Sequence, residues 1–542
     1  MTDAATGPAP QPPAPQPPGA SAGIPWLGLV AVLLGTFIST LNGRLSTFGL
    51  ADIRGALHAG FDEGAWITSS QTIAQMLIAP VAIWVGGIYG PRRVLFGAAA
   101  AFAVVSFVIP FSTNPPMMLG LQFASGISSG FFVPLTLSFI LRSTPPRLWA
   151  YGVAIYALNL ELSLNISASL EGWYVEHLSW RWIFWQNVPL ALGMVACLQL
   201  GIARTPPLPG RPPPDVFGFA SLGLGLALIY AALDQGNRLD WLNSGLVWGL
   251  LLSGGLLTLA FLAHEGRTAH PAFDLKVAFA APLPRLLLLV GFLRLTILST
   301  AILIPQYLGG VRGYRALEVG GTLIWIAVPQ LIICPLAALM LRRTDPRLVS
   351  SVGFLFIAMA CLSVAHSLTP SWGSEEFLRS QLLQAVGQSF ALSGILFFSV
   401  LHLRPQDAMT FGAAVQIARL MGGEIGSAFI TTFTRVRSQT ASNLIGLHVR
   451  SGDGMVVQRL QAYAAATGRA TDPATAAGRA AGVLGGVVRG MATTQGVIDA
   501  FVAIAFFTAL ALLLVVAHKP APIGPASHLP LFAPQPQAGP TS

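Results

Sequence analysis

Charge is the first thing this sequence lacks. Only 9% of its 542 residues are charged and 54% are apolar, against about 25% charged in an ordinary soluble domain. That shortage excludes a soluble fold and leaves a membrane protein. The formal charge of +9 (30 minus 21) does not indicate nucleic acid, because the basic residues fall in short loops between apolar runs. Cysteine is scarce as well: Cys197, Cys334 and Cys361 lie inside apolar spans without metal-ligand spacing and read as buried packing residues. No H-E-x-x-H, Walker loop or C-x-x-C pair occurs, so metal-dependent and ATP-driven readings have no support and no cofactor is expected. No soluble segment is long enough for a catalytic core, so the chain is not read as an enzyme. Residues 1–24 hold no Lys or Arg, which excludes a secretory signal peptide; their Pro-, Ala- and Gln-rich composition reads as a disordered cytoplasmic tail.

Long apolar runs are what the chain has instead. At about 1.5 Å per residue, helices are expected near 26–50, 64–88, 94–111, 117–141, 150–175, 182–201, 217–234, 246–264, 284–309, 319–341, 348–367, 377–401, 409–434 and 497–517. The fold class is therefore all-α, a polytopic membrane protein of about fourteen transmembrane helices. With a cytoplasmic N-terminus, the inside loops carry Arg92, Arg93, Arg142, Arg147, Arg204, Arg211, Arg267, Lys276, Arg285, Arg342, Arg343, Arg347 and Arg404. The short outside loops hold mainly Arg54, Arg181, Arg238, Arg312, Arg315 and Arg379. Both termini are thus expected in the cytoplasm. The segment 435–496 is the largest non-membrane piece, an extracytoplasmic loop with part of it amphipathic helix.

Polar residues inside these runs are the candidates for function. The stretch 150–189 reads as two membrane helices joined by a polar turn, and the first holds Asn159, Glu161, Asn165, Ser167 and Glu171. A carboxylate near a bilayer centre costs roughly 2.5 to 3.5 kcal/mol on the mildest scale, so it usually faces a partner or a watery path. Gly126-Ile127-Ser128-Ser129-Gly130 satisfies G-x-S-x-G, but in mid-helix it reads as close helix packing rather than a hydrolase elbow. Gly422 and Gly426 repeat that spacing with Glu424 between them. Asn165-Ile166-Ser167 matches a glycosylation acceptor that its place in a span makes unavailable.

Several short motifs now carry a resemblance: Trp180-Arg181-Trp182-Ile183-Phe184 with Asn187-Val188-Pro189; Leu233-Asp234-Gln235-Gly236 with Asp240-Trp241; Val311-Arg312-Gly313-Tyr314; and Arg419 with Gly422-Gly423. Over nearly all of 26–517 the chain resembles the fourteen-helix drug:proton antiporter branch of the major facilitator superfamily. The resemblance implies two six-helix bundles, 25–201 and 284–517, and a linker 202–283 with two extra membrane helices. Alternating access at a central cavity and a cytoplasmic tail over 518–542 go with it. It also implies export of small organic compounds across a bacterial inner membrane, with a periplasmic adaptor and an outer-membrane channel as partners. The departures bear on coupling. The helix 1 acid is Asn42, followed by Arg44; Gly87 stands where the gate-loop Asp belongs, although Gly90, Arg92 and Arg93 remain; Leu119 replaces an Arg in helix 4, although Gln122 remains; and Glu171 falls within the altered antiporter motif.

Glu161 and Arg44 are accordingly expected to pair or share a cavity, with Glu161 as the proton-coupling carboxylate and a static ion pair as the plainer reading. Glu171 reads equally as a coupling group or a solvated mouth residue, and Glu424 as local compensation for Arg419 at i+5. Arg419, Arg294, Asn165 and Gln122 read as cavity or packing residues, Arg294 with the option of snorkelling. Three intramembrane cations favour an anionic or neutral amphiphile over a cationic drug. Proton antiport leads. An uncoupled uniporter or importer and a non-transporting, transporter-like sensor remain the alternatives.

Overall fold

The computed structural model describes residues 26–202, 215–268, 273, 275, 279, 282–403, 407–449, 452–467 and 473–520. The expected tails 1–24 and, beyond residue 520, 518–542 lie outside the described residues, as do Arg204, Arg211, Lys276 and Arg404.

Helix is the only regular structure among the described residues, as a chain in lipid requires when every backbone group must be satisfied within its own segment. In chain order the long helices are α1 (Trp26–Phe48), α2 (Phe61–Tyr89), α3 (Pro91–Val108), α4 (Pro115–Ser143), α5 (Trp149–His177), α6 (Asn187–Gly201) and α7 (Val216–Gly236). They continue as α8 (Gly245–Glu265), α9 (Leu283–Arg312), α10 (Ala316–Leu341), α11 (Pro346–Ser367), α12 (Leu378–Val400), α13 (Ala408–Gly446) and α14 (Pro473–Val516). Among the described residues, thirteen helices are long and apolar enough to cross a membrane. α13 is not among them, because Gln416, Arg419, Glu424 and its glycines lower its hydropathy, and it packs along α4, α9 and α14.

The starts of these helices follow local chemistry. Asn114 accepts from Met117 N at 2.9 Å ahead of Pro115, and Asp345 accepts from Arg347 N at 2.8 Å ahead of Pro346. Each satisfies a backbone donor that the first helical turn leaves free. Gly90, at φ 80°, joins α2 to α3 in a conformation that favours glycine.

Two expectations change. The segment 435–496 is not a loop. α13 runs on to Gly446 and α14 begins at Pro473, so both project past the apolar zone, and a helix over Gly454–Thr467 packs against α14. Ala, Arg, Gln and Met sustain helix where hydropathy has already stopped. In α9, residues Ser299–Leu303 form a π-helical turn that apolar periodicity did not indicate.

Helices α1–α6 pack on one another, as do α9–α14, while α7 and α8 form a pair set against α2. Glycines allow the closest approaches. A β-carbon at Gly126 would lie 2.2 Å from the Gln71 carbonyl oxygen, and one at Gly422 would lie 2.4 Å from Gly291 Cα. Both glycine pairs singled out in the sequence therefore serve helix packing. The end where α1 begins is called the near face below, and the opposite end the far face.

Candidate functional site

A cavity of about 410 Å³ opens between the two halves, from mid-depth toward the far face. That volume falls within the ordinary range for small-molecule sites. α1, α2, α7, α9 and α13 supply most of its wall, and Leu164 of α5 completes it.

Three arginines line it. Arg44 of α1 donates from Nη2 to the Ala301 carbonyl at 3.0 Å, in the π-turn of α9. A π-turn breaks the regular hydrogen-bond ladder, so this carbonyl is available to a donor from the other half. Arg419 of α13 is 5% exposed and donates from Nε and Nη2 to Gln416 Oε1 at 3.2 and 2.8 Å. Arg294 of α9 also faces the cavity, and its Nε has no hydrogen-bond partner.

The acids sit differently from expectation. Glu161 does not pair with Arg44. It is 2% exposed, neither carboxylate oxygen has a hydrogen-bond partner, and Arg294 and Arg419 are the cations close enough to act on its charge. It lies behind the cavity wall rather than in it. Arg44 and Glu161 are on helices of the same half, but Arg44 crosses to α9 for a carbonyl instead. Glu424 lines the cavity and is bonded to the Tyr230 hydroxyl of α7, so it does not compensate Arg419 along its own helix. Glu171 is no solvated mouth residue. It is 1% exposed, packed near Gly49, with Oε2 unpartnered and Asp52 and Glu176 close by.

The polar candidates outside the cavity belong to buried amide networks. Asn42 donates to Gln71 Oε1 at 3.0 Å and accepts from Asn187 Nδ2 at 2.7 Å, so the asparagine of the Asn187-Val188-Pro189 motif orients the amide of helix 1. Gln122 donates to Ser46 Oγ at 3.3 Å. Asn165 spans the two halves, donating to Gln388 Oε1 at 3.0 Å and Gln330 Oε1 at 3.3 Å. At the near face, half-buried Arg92 donates to the Gln199 carbonyl at 3.1 Å, while Arg93 is exposed.

Sequence reasoning missed Asp234 and Tyr230. Both belong to α7, one of the two extra helices, and both line the cavity. The Ser69 hydroxyl donates to the Asp234 carboxylate, and the Tyr230 hydroxyl bonds Glu424 and Thr72. Asp234 lies in the Leu233-Asp234-Gln235-Gly236 motif. The signal was the one used for Glu161, an acid in an apolar run, but it was read only as a family mark.

The comparisons fit this geometry. Residues 32–427 match the sequence model of the Major Facilitator Superfamily. The chain belongs to that superfamily. It is therefore a multi-pass membrane transporter rather than an enzyme. Relatives include the probable multidrug resistance protein EmrY of Escherichia coli K12, 24% identical over 416 residues, 76% of this chain and 80% of that protein. The multidrug export protein EmrB of the same strain is 22% identical over 403 residues, covering 74% and 79%. The fatty acid resistance protein FarB of Neisseria gonorrhoeae is 21% identical over 446 residues, covering 79% and 84%. Among solved structures of the superfamily, the proton:xylose symporter XylE superposes with a TM-score of 0.58 at 11% identity, covering 94% of this chain and 98% of that one.

Proposed function

We propose that this superfamily member is a multidrug-type exporter of small anionic or neutral amphiphiles, driven by proton antiport and working by alternating access. One observation carries the reading. A buried, unpartnered carboxylate, Glu161, lies in one half where two arginines of the other half act on it, beside a cavity of ligand size. Ionised, Glu161 attracts α9 and α13; protonated, it releases them. Its proton therefore biases how the halves meet, which is what a coupling group must do. Arg44, Arg294 and Arg419 would hold the acid group of a substrate, and Phe48, Leu298 and Ile302 its apolar body. The relatives named for multidrug export and fatty acid resistance support an amphiphilic cargo.

This reading sets the protein in a bacterial inner membrane with both termini in the cytoplasm, so that the near face is cytoplasmic. The projecting ends of α13 and α14 and the helix Gly454–Thr467 then stand in the periplasm, where an adaptor leading to an outer-membrane channel would dock. Near-face entry requires the contact of Gly412 on the Pro134 carbonyl to part, since a β-carbon there would lie only 2.4 Å away.

The three arginines also favour a second reading. An anion leaving a cell gains about 2.3 kcal/mol per 100 mV from an inside-negative potential, so an uncoupled uniporter would export it as well. Energised inverted vesicles with a pH-sensitive dye separate the two. Antiport predicts a substrate-dependent proton leak that falls at least tenfold in Glu161→Gln. Substrate flux without any leak would overturn coupling and leave the uniporter.

A further inference from the structure

The cavity is electrically two-sided. Arg44, Arg294 and Arg419 face it from α1, α9 and α13; Asp234 and Glu424 face it from α7 and α13. Among the described residues no salt bridge joins the two sets. Four of the five charges are instead held by neutral neighbours. Arg44 is held by the Ala301 carbonyl, Arg419 by Gln416, Asp234 by Ser69, and Glu424 by Tyr230, while Arg294 keeps a buried Nε without a partner. Opposite charges sharing a low-dielectric space attract strongly, and an arrangement that holds them apart leaves both sets available to a third party. The cation nearest in sequence to Asp234, Arg238, is bound to Asp62 at the rim and to Gln235 Oε1.

We infer that the cavity takes a zwitterionic amphiphile, its acid group on the three arginines, its ammonium group on Asp234 and Glu424, and its apolar body along Phe48, Leu298 and Ile302. This deepens the exporter reading and rests on it. A lone anion satisfies only the basic wall and leaves Glu424 without a cation and Asp234 with only the rim charge of Arg238, whereas a zwitterion satisfies both walls. The assignment also supplies antiport with a competition that an anion cannot provide. An ammonium group and a proton are rivals for the same carboxylates, so a substrate ammonium arriving on Asp234 and Glu424 displaces protons, and protons arriving from the other face displace the substrate. The groups in play are Arg44 on α1, Asp234 and Tyr230 on α7 with Arg238 at its end, Arg294 on α9, and Arg419 and Glu424 on α13. Glu161 of α5 stands behind Arg294 and Arg419. α2 contributes the hydroxyls of Thr68, Ser69 and Thr72 and the amide of Gln75. The inserted helix α7 thereby becomes part of the binding site rather than a spacer between halves.

The test uses three probes with one apolar chain: N-octyl-N,N-dimethylglycine, octanoate and octyltrimethylammonium. Competition against the tritiated dimethylglycine probe, on the full chain in lipid nanodiscs and without any gradient, gives three dissociation constants. The zwitterion is expected to bind at least tenfold more tightly than either single-charge probe, and Asp234→Asn with Glu424→Gln to cut that advantage to within threefold. A wild-type protein with no such advantage, including one that binds none of the probes, overturns the inference, as does an advantage that survives both substitutions. The wild-type ratio needs no variant to fold. Because no gradient is applied, the ratio stands apart from proton coupling, which fails or holds in the vesicle assay.

Discussion

The two seams between the halves are built on opposite principles. Along α5 and α10 the helices touch through small residues: a β-carbon at Gly172 would lie 2.3 Å from Leu317 N, and one at Gly320 would lie 2.5 Å from Ser169 N and Cα. Cys334 Sγ donates to the Ala154 carbonyl at 3.0 Å, and Arg342 donates to the Tyr151 hydroxyl at 2.8 Å with its guanidinium 5.3 Å from that ring. Between α2 and α13 the helices meet near the near face, where Gly86 packs against Leu135 and Met409, then diverge around the cavity with α7 beside them. One seam is closed by fit, and the other is held open by charge. In a bilayer the first arrangement relies on dispersion between close backbones, and the second accepts the cost of buried charge in return for a site.

The largest effect that separates the seams is steric. Gly320→Val should lower stability by about 3 kcal/mol, because backbone atoms of Ser169 cannot move aside. The same change at Gly423, where the nearest atom to an added β-carbon is Arg294 Nε at 3.8 Å, should alter stability little while obstructing transport. Thermal unfolding in detergent, read beside vesicle uptake, checks both. A Gly423 variant that unfolds as early as the Gly320 variant would erase the distinction.

Next in size comes the amide bridge. Asn165→Leu strands the buried Gln330 oxygen, which now accepts from Asn165, and leaves the Gln388 oxygen with Gln330 Nε2 as its remaining donor. Leaving such groups unmatched costs about 2 kcal/mol. The loss should appear in the unfolding temperature without changing the relative affinities of the charged probes. A shift in those affinities would place Asn165 in the substrate site instead.

What the sequence made legible follows from what lipid demands. The apolar runs and the small-residue pairs at Gly126–Gly130 and Gly422–Gly426 were readable because each reports a local requirement of a helix in a bilayer. Arg44, Arg294, Arg419 and Glu424 were recognised as costly and do meet at one cavity. Partnerships were not legible, because they depend on rotation about helix axes and on which helices become neighbours. The Arg44–Glu161 pair dissolved for that reason, since Arg44 found the carbonyl of a π-turn that no periodicity signals. Asp234 was passed over because only the packing of α7 against α2 brings it to Ser69 and the cavity. The helical extension through 435–446 and 473–496 was hidden because hydropathy marks the membrane and not the end of a helix.

The smallest prediction concerns a site that belongs to neither seam. His402 follows α12 at the near face, its ring 5.1 Å from Phe398, which in turn lies 5.8 Å from the ring of His518 beyond α14. Burial holds the His402 imidazole below its ordinary value of 6.5; the hydrogen bond to the Phe398 carbonyl pulls the other way, and the His518 charge adds to the lowering. The unfolded chain therefore takes up the proton first as pH falls. His402 contributes stability that is present above about 6.5 and lost progressively on acidification below it. Between about pH 7.5 and 5.5 the unfolding temperature should drop further in the wild type than in His402→Gln. Since the group is remote from the cavity, the pH profile of transport should be the same in both. A transport profile that moved with His402 would mean that pH acts on this protein through its near-face ends as well as through the charged seam, and the contrast between a structural seam and a functional one would no longer account for where protons matter.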